Sequence, residues 1–360
     1  MKIAILINSL RGGGAERVAA TLANQFSIEG NDVAFWLFHP EGQAYWIEKT
    51  VSVHVLQERG KNRMIRIISR VSGCRKEAAR EKPDVLLAFT AKNIPYALAA
   101  KTGAYGMKVF GLERANPESH KGPLWTLIRL LSPLCDGFIF QTEGAKRYYP
   151  HATGKKAVVI KNPLAAVYER RLLAERPIFK ICSAGRLHSD KDFETLIRAF
   201  AFYRREGGKG TLDIYGDGIK RGELEEMAKS LGADACLRFM GFAKNLQEKL
   251  CEYDLFVFSS RSEGMPNALL EAMAVGLPCI STDCDFGPRE FIRSGENGLL
   301  VPVGDVEKMA GAMMWAQENR EKREKMAGEA KKIKAELSAE VIARAYLDYM
   351  SQTLRSGAGK

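Results

Sequence analysis

The sequence alternates short apolar runs with segments in which apolar residues recur at helical spacing, and this alternation limits the fold more than any other feature. The run at residues 2–8 predicts a buried strand, because parallel strands covered on both faces are continuously apolar. A helix is predicted over 15–28. Further strands are predicted near 33–38, 84–90, 107–112, 137–141 and 157–160. This order of elements is typical of a doubly wound parallel sheet.

The pattern breaks at Asn162-Pro163 and at a polar stretch over 169–177, then restarts with an apolar run at 179–184. The strands of this second series are predicted near 211–215, 236–240, 254–258, 278–281 and 298–301. A charged helical segment follows over 305–335. We therefore predict a second α/β domain.

A chain of 360 residues is long enough for two domains of ordinary size. We predict two Rossmann-like α/β domains, residues 1–165 and 166–335, that face each other across a cleft at the carboxyl ends of their strands. The helix at about 338–354 is a candidate for packing back on the first domain.

The excess of positive charge lies in the first half. The chain carries a net charge of +11, and residues 1–165 hold 24 basic and 13 acidic side chains, whereas 166–360 hold 30 of each. A protein that binds nucleic acid along its whole length could spread this charge over both halves. The uneven distribution favours two different ligands and argues against nucleic acid.

The seven cysteines form no C-x-x-C pair, so neither a disulfide framework nor a zinc site is indicated. Reduced, buried thiols in a cytosolic protein are expected. No apolar window has the length of a signal-peptide core or a transmembrane helix. We expect a chain that is neither exported nor membrane-spanning.

Three glycines at 12–14 separate the first strand from the first helix and let backbone amides approach a ligand. A nicotinamide-binding motif is excluded, because Arg17 replaces its third glycine and no acidic residue ends the second strand at 37–39. The loop at Gly13 and Gly14 is either a plain tight turn or a substrate contact.

Arg186 and Lys191 flank the point where a buried strand gives way to a helix. Two cations beside a helix N-terminus suit a diphosphate, since the helix end adds partial positive charge to them. The alternative is a chance pair of surface cations. We predict a diphosphate site.

Glu263 and Glu271 lie eight residues apart, the first in a loop and the second in the helix that follows Pro266. Both carboxylates can face one ligand that also meets the free amides of the helix N-terminus. A carboxylate accepts hydrogen bonds from two neighbouring hydroxyls, as a ribose or hexose offers. The spacing therefore predicts sugar binding.

Together these segments resemble the retaining glycosyltransferases with the GT-B fold, in particular glycosyltransferase family 4. The motifs that carry the resemblance are 13–16, 185–191, 216–218, 263–271 and 297–302. The resemblance implies a nucleotide-sugar donor on the second domain, an acceptor on the first, and transfer with retention and without a metal or other cofactor.

The resemblance assigns roles to individual residues. Arg186 and Lys191 would neutralise the donor diphosphate, Glu271 would hold the ribose, and Glu263 would hold the donor sugar. The residues expected to join Glu263 at the sugar are Gly264, Met265, Pro266, Asn267 and Ala268. The other predicted donor contacts are Gly13, Gly14, Gly216 and, against the base, Phe242.

The sequence departs from the family where many relatives have a histidine after the strand at 107–112. This chain has Glu113 and Arg114 there, and His120 six residues further on. We predict that Glu113 or Arg114 replaces the histidine as a catalytic residue, with His120 as a weaker candidate. No general base is assigned, because in the family's usual mechanism the departing phosphate takes the acceptor's proton.

Two Asp-x-Asp strings, at 190–192 and 283–285, resemble the metal-binding signature of another glycosyltransferase fold. The first starts a helix, where aspartate is favoured as a cap. The second follows the strand after Glu271. We predict no metal at either.

The segment 59–82 carries nine basic and two acidic residues, with apolar residues at helical spacing. This pattern predicts an amphipathic helix with a basic face. The face either binds an anionic membrane or is only exposed to solvent. Residues 123–131 form a second apolar segment, which is either a helix that contacts lipid or an ordinary core helix.

We predict a peripheral enzyme at the cytosolic face of the plasma membrane that moves a hexose or N-acetylhexosamine from a UDP-sugar. The acceptor is expected to be a polyprenyl-diphosphate-linked saccharide in bacterial glycan or capsule synthesis. A nucleotide-sugar 2-epimerase, a basic lipid- or nucleic-acid-binding protein and a transferase with a soluble acceptor are the alternatives.

Overall fold

The computed structural model describes residues 1–357 except 41, 61, 165–177, 244 and 286. The polar stretch predicted at 169–177 lies outside the described residues. The chain forms two compact units. Unit 1 comprises Met1–Ala165 with Leu337–Lys360, and unit 2 comprises Ala166–Glu336.

Unit 1 is built on a parallel sheet of seven strands in the order β3-β2-β1-β4-β5-β6-β7. Its strands are β1 (Lys2–Ile7), β2 (Asp32–Leu37), β3 (Ser52–Val55), β4 (Val85–Ala88), β5 (Lys108–Leu112), β6 (Gly137–Phe140) and β7 (Ala157–Val159). The central strands are apolar on both faces and buried, as parallel sheets covered by helices require.

Helices cover both faces of this sheet. The helices that come before β7 in the sequence are α1 (Gly14–Ile28), α2 (Arg63–Glu81), α3 (Ile94–Ala100), α4 (Pro123–Leu131), α5 (Glu143–Arg147) and α6 (His151–Gly154). Helices α2, α3 and α4 share one apolar core with alternate residues of the strands, and α3 contacts both of its neighbours. These three helices therefore form one layer.

Unit 2 repeats the architecture with six parallel strands in the order β10-β9-β8-β11-β12-β13. The strands are β8 (Phe179–Ala184), β9 (Gly210–Tyr215), β10 (Leu237–Gly241), β11 (Leu255–Phe258), β12 (Cys279–Thr282) and β13 (Leu299–Val301). Its helices are α7 (Phe193–Arg205), α8 (Arg221–Ser230), α9 (Leu246–Leu250), α10 (Asn267–Ala274), α11 (Val306–Glu318), α12 (Arg320–Ala330) and α13 (Ile333–Glu336). The predicted two doubly wound α/β sheets are confirmed.

The last helix, α14 (Ala339–Gly357), packs on unit 1. The ring of Tyr346 lies 6.1 Å from that of Phe26 in α1, and Tyr349 Oη accepts a 3.0 Å hydrogen bond from the backbone N–H of Phe138. The C-terminal segment thus completes the core of the first unit after the chain has traversed the second.

One strand was missed by the sequence prediction, and one helix keeps both of its predicted alternatives. Strand β3 was not predicted, because it has four residues and its side chains at Val53 and Val55 are exposed. Helix α4 places Ile128 in the core of unit 1 and leaves most of its other residues exposed or half-buried, so lipid contact and core packing both stay open for this segment. Among the described helices, none is both long and apolar enough to cross a bilayer.

Candidate active site

The carboxyl ends of β8 and β9 approach each other through glycines. A Cβ on Gly216 would lie 1.9 Å from the carbonyl oxygen of Gly185, and one on Gly218 would lie 2.4 Å from that of Leu187. The backbone N–H of Leu187 donates to Asp217 O at 2.9 Å. Glycine is therefore required here for two loops to pack backbone to backbone, which fixes the loop that leads to Lys191.

Lys191 and Glu263 are in direct contact. Lys191 ends the 3-10 turn Ser189–Lys191, and its Nζ lies 2.6 Å from Glu263 Oε1 and 3.8 Å from Asp190 Oδ2. The buried Ser259 hydroxyl donates to the Lys191 carbonyl at 2.8 Å, which ties this turn to the end of β11. Both partners are largely buried, with 17% and 7% of their side chains exposed. The two predicted residues from separate motifs thus meet at one point.

Helix α10 begins beside this pair. Pro266 precedes its first residue, and the helix starts without a side-chain cap. A Cβ on Gly287 would lie 3.2 Å from Pro266 Cδ and 3.3 Å from Glu263 Cβ, so the loop before α10 is held against a third backbone segment. The N-terminus of α10 therefore adds partial positive charge close to Glu263.

Glu271 is buried in the second turn of α10, with 1% of its surface exposed. Among the residues predicted with it, Met265 and Pro266 are buried, whereas Gly264, Asn267 and Ala268 are half-buried. The carboxylate predicted to hold the ribose therefore lies in the interior of unit 2.

Arg186 and Phe242 are exposed at the same edge of the sheet. Arg186 follows β8 and pairs with no acidic residue in the part of the chain that the structure describes. Phe242 follows β10 with 68% of its side chain exposed, and Gly241 before it has a φ of +73°. An uncommitted guanidinium and an open aromatic face can both receive a ligand.

The two Asp-x-Asp strings have other partners. Asp192 caps α7, accepting from Thr195 Oγ1 at 2.7 Å, and Arg261 Nε lies 2.9 Å from it. Asp283 is paired with Arg289 Nε at 2.9 Å. The capping role predicted for Asp192 is therefore what the structure has.

In unit 1 the glycine loop before α1 is held by a tyrosine. Tyr45 Oη donates to Gly13 O at 3.1 Å and accepts from Gly13 N at 3.2 Å. Gly13 has a φ of +151°, and Gly14 is the first residue of the helix. Burial raises the pKa of Glu16, three residues further on. The loop is thus an ordered start of a 15-residue helix.

Arg114 is committed to packing within unit 1. Its guanidinium lies 4.2 Å from the centre of the Phe89 ring, donates to Asn162 Oδ1, and donates to Tyr346 Oη at 3.3 Å. Burial lowers the pKa of this arginine. These contacts join β4, the end of the first sheet and α14, so Arg114 has a structural role, and the catalytic role predicted for it stays a prediction.

Glu113 is likewise buried, and it organises the loop after β5. Its Oε1 accepts from the backbone N–H of Arg114 at 2.9 Å and of Ala115 at 3.1 Å, and its Oε2 accepts from the Tyr149 hydroxyl. His120 Nδ1 lies 3.5 Å from the same Oε2. Burial and the neighbouring Glu113 raise the pKa of Tyr149 far above its ordinary value. Glu113 therefore holds groups in place, including the weaker candidate His120.

His120 is the group that this loop orients. Its ring stacks on that of Trp125 with centroids 3.5 Å apart, and its backbone oxygen accepts from Arg129 Nη2 at 2.6 Å. Lys92 Nζ lies 5.4 Å from the centre of the same Trp125 ring. The imidazole ring of His120, the weaker candidate for the missing histidine, is therefore held by stacking on Trp125 and by the nearby carboxylate of Glu113.

Sequence reasoning missed four contributors to these sites. They are Tyr45, Tyr149, Ser259 and Cys284. Cys284 lies close enough to the pair that, besides burial, Glu263 raises and Lys191 lowers the pKa of its thiol, which is about 12. Each is far in sequence from the residue it meets, so spacing alone gives no signal for the contact.

The chain has two parallel-sheet units, which is the architecture of the GT-B fold. At the carboxyl edge of the second sheet, Lys191 and Glu263 meet beside the start of α10. This combination is typical of two-domain glycosyltransferases with the GT-B fold. Residues 12–165 match the profile described as Glycosyltransferase Family 4, and residues 178–319 match that described as Glycosyl transferases group 1. The chain belongs to this family of glycosyltransferases.

The curated proteins to which it is similar include bacterial glycosyltransferases. It is 36% identical over 179 residues to the lipopolysaccharide core biosynthesis glycosyltransferase LpsE of Rhizobium meliloti, which is 49% of this chain and 51% of that protein. The match thus spans about half the length of LpsE.

A longer match is to a Campylobacter jejuni protein, at 29% identity over 315 residues, 85% of this chain and 86% of that one. It is the GalNAc-alpha-(1->4)-GalNAc-alpha-(1->3)-diNAcBac-PP-undecaprenol alpha-1,4-N-acetyl-D-galactosaminyltransferase. Among solved structures, Anabaena Alr3699/HepE in complex with UDP and glucose has a TM-score of 0.83 and 20% identity, covering 98% of this chain and 99% of that one. This likeness establishes the fold.

Proposed function

We propose that this chain is a retaining, metal-independent glycosyltransferase that moves a hexose or N-acetylhexosamine from a UDP-sugar to a polyprenyl-diphosphate-linked saccharide. The observation that carries the proposal is the 2.6 Å contact between Lys191 and Glu263 at the carboxyl edge of the second sheet. A cation for phosphate and a carboxylate for hydroxyls meet there, next to the start of α10.

In this proposal the donor binds to unit 2. The diphosphate takes Lys191 as its partner and recruits the exposed Arg186, while the sugar hydroxyls bond to the carboxylate of Glu263 that the lysine releases. The buried Glu271 accepts from the ribose hydroxyls, and Phe242 lies against the base. Cations placed where charge develops on the leaving diphosphate lower the barrier most.

Transfer with retention requires no protein nucleophile in this scheme. The departing phosphate oxygen takes the proton of the acceptor hydroxyl while the new glycosidic bond forms on the same face of the sugar. The contribution of the protein is positioning of the two substrates and stabilisation of the leaving group. His120, fixed by Glu113 and Trp125, is a candidate contact for a substrate hydroxyl on unit 1.

The relatives support the choice of donor and acceptor. The HepE structure contains UDP and glucose, and the name of the Campylobacter jejuni relative specifies N-acetylgalactosamine and an undecaprenol-linked acceptor. We therefore favour UDP over other nucleotides and a lipid-linked saccharide over a soluble acceptor, in glycan or capsule synthesis.

The surface of unit 1 supports a place on the inner face of the plasma membrane. Met64, Ile65 and Ile68 of α2 are 51% to 63% exposed beside the basic side chains of that helix. Helix α4, in the same layer, exposes Leu127 by 48% and Leu130 by 71%. Exposed apolar groups among cations suit an anionic leaflet, which attracts each basic side chain by about 1 kcal/mol.

The donor assignment is tested by thermal unfolding with UDP-, GDP- and ADP-sugars in the presence of a chelator. A ligand at 100 times its dissociation constant adds about 2.7 kcal/mol of stability. We expect UDP-sugars to raise the midpoint and product analysis by NMR to give the retained anomer. No shift with any nucleotide sugar would remove the proposal, and dependence on a divalent metal would remove metal independence.

The membrane assignment is tested by flotation with anionic liposomes. The double variant Ile65→Ser with Ile68→Ser is expected to lose most of the binding, whereas Ile28→Ser, at the 67% exposed end of α1 outside this helix layer, retains it. Equal flotation of both variants would contradict a role for α2.

A further inference from the structure

The carboxyl ends of β1 and β4 mark the point where the strand order of the first sheet changes direction. In the order β3-β2-β1-β4-β5, the chain continues from β1 to one side and from β4 to the other. Ligands of open α/β sheets bind outside the strand ends at such a point. Asn8 and Thr90 lie there, each two residues beyond the paired residues Leu6 and Ala88. The two polar residues are therefore neighbours where this fold places ligands.

Both side chains carry a buried oxygen without a hydrogen bond. Asn8 Oδ1 and Thr90 Oγ1 have no hydrogen-bond partner among the residues that the structure describes. Folded proteins pair nearly all of their buried polar groups, because an unpaired one lowers stability. Two such exceptions on adjacent strands indicate groups that serve a ligand rather than the fold.

The backbone carbonyls of these two residues are, by contrast, bonded. The carbonyl oxygen of Asn8 accepts from the backbone N–H of Phe38 at 3.2 Å and from that of His39 at 2.9 Å. The carbonyl oxygen of Thr90 accepts from the backbone N–H of Asn93 at 2.9 Å. Local structure thus uses the main chain of Asn8 and Thr90 and leaves their side-chain oxygens open.

Thr90 lies where a threonine ordinarily bonds to its own helix. It is the N-cap of the 3-10 turn Ala91–Asn93, yet its side chain caps none of the described backbone N–H groups. Thr142, the N-cap of α5, has a similarly extended backbone and accepts from the N–H of Ala145 at 3.2 Å. Threonine is favoured at N-caps because of that bond. The hydroxyl of Thr90 is therefore kept away from the local backbone.

The two oxygens select a ligand that can donate a hydrogen bond. The amide oxygen of Asn8 only accepts, whereas the hydroxyl of Thr90 both donates and accepts. A diphosphate ester offers acceptor oxygens alone, but one sugar hydroxyl can donate to the amide and accept from the threonine. Both residues are half-buried, so rotation of their side chains brings the oxygens to the surface. The pair suits a neutral saccharide.

We propose that Asn8 and Thr90 together bind one hydroxyl of the acceptor saccharide and so select the sugar that the enzyme extends. The inference rests on the proposed function, which places the donor on unit 2 and the acceptor on unit 1. It adds the chemical group of the acceptor that is recognised and the two side chains that recognise it.

The test compares Thr90→Val with Thr153→Val in the full chain. Valine keeps the shape of threonine and removes the hydroxyl. Thr153 in α6 is the matched control, because its buried hydroxyl also has no described partner but lies in the helix that leads to the amino end of β7. Saturation-transfer NMR with methyl α-glycosides of glucose, galactose, N-acetylglucosamine and N-acetylgalactosamine measures binding. We expect Thr90→Val to weaken the preferred glycoside about fivefold to tenfold and the control to leave it unchanged.

Stability separates ligand binding from a structural role. An unpaired hydroxyl adds nothing to the fold, so Thr90→Val should unfold in urea at or above the wild-type midpoint. Weaker glycoside binding with an undiminished midpoint supports the proposal. A lowered midpoint overturns it, as do equal binding by the two variants and the absence of glycoside binding by the wild type.

Monodeoxy derivatives of the preferred glycoside test the assignment of a single hydroxyl. One derivative should bind the wild type and Thr90→Val equally, because it lacks the hydroxyl that the threonine holds. The same derivative should be insensitive to Asn8→Ala, since both side chains are proposed to share that hydroxyl. If every derivative still binds Thr90→Val more weakly than the wild type, the assignment is overturned.

Thermal unfolding with UDP-sugars separates this inference from the proposed function. A wild type that binds a glycoside through Thr90 but is stabilised by no nucleotide sugar contradicts the proposed function alone. A normal UDP-sugar shift with unchanged glycoside binding in Thr90→Val contradicts the inference alone. Loss of the UDP-sugar shift in Thr90→Val assigns the pair to the donor and overturns its role toward the acceptor.

Discussion

Lys191 Nζ and Glu263 Oε1 lie 2.6 Å apart, so in the ligand-free site the lysine proposed to bind phosphate is neutralised by the glutamate proposed to bind sugar. In the proposed function, a bound diphosphate competes for the same ammonium group, which leaves the carboxylate to accept from hydroxyls. The proposal therefore couples donor binding to exposure of the sugar contact through this one pair.

Glu263→Gln is expected to separate these two roles. With the competing carboxylate neutral, UDP should bind about threefold or more tightly, since a charge-assisted partner of Lys191 is lost. Transfer should fall about a hundredfold, because the sugar loses its contact. Calorimetric titration with UDP and an initial-rate assay measure the two effects. Weaker UDP binding in this variant would contradict competition for the lysine.

Arg186→Gln is expected to impair transfer without affecting folding. The side chain is exposed and pairs with no described acidic residue, so its loss breaks no ion pair among the described residues. We expect kcat/KM to fall about tenfold or more and the unfolding midpoint to stay at the wild-type value. The control is Arg198→Gln, which removes an exposed arginine on helix α7. Equal activity of the two variants would argue that Arg186 does not meet the donor.

Glu113→Gln is expected to act on the stability of unit 1. The carboxylate is 2% exposed and accepts hydrogen bonds from two backbone amides and from Tyr149. The amide cannot accept at both ends, so about 1–3 kcal/mol of unfolding free energy should be lost. Urea unfolding measures the loss, and Glu118→Gln on the exposed part of the same loop is the control. Unchanged stability would show that Glu113 is free for another role.

Stability is expected to fall at alkaline pH. Burial raises the pKa of Tyr203 to about 12 and that of Tyr349 to about 12. An unfolded tyrosine ionises near pH 10, so between about pH 10 and 12 the unfolded chain holds fewer protons and becomes favoured by about 1.4 kcal/mol per pH unit for each residue.

Tyr349→Phe tests this dependence through its slope rather than its absolute stability. The variant also removes an acceptor of Phe138 N–H, which lowers stability at every pH. Urea unfolding between pH 9 and pH 11 should give a shallower decline for Tyr349→Phe and the wild-type decline for the fully exposed Tyr105→Phe. An unchanged slope for Tyr349→Phe would contradict the assignment.

The central parallel strands could be predicted because both of their faces are apolar, which leaves a continuous signal at positions such as 3–7 and 255–258. Strand β3 could not, since an edge strand with exposed Val53 and Val55 carries no such run. In the same way, the motifs located Lys191 and Glu263 but not their contact.

The fate of the residues after β5 was beyond sequence reasoning for a different physical reason. Arg114 is placed by Phe89 and Tyr346, and Glu113 by Tyr149, contacts that only the folded core brings together. Spacing identifies side chains with suitable chemistry, whereas the partners that hold Glu113 and Arg114 meet them only in the folded core.

The most direct measurement for the account is the affinity of UDP for Lys191→Gln, compared with Lys229→Gln. The control removes a lysine with the same charge and a glutamate partner at 3.0 Å, but on the exposed face of α8. The account predicts that Lys191→Gln weakens UDP binding about tenfold or more and that Lys229→Gln has the wild-type affinity. The same affinity in both variants would contradict a donor site at Lys191 and Glu263.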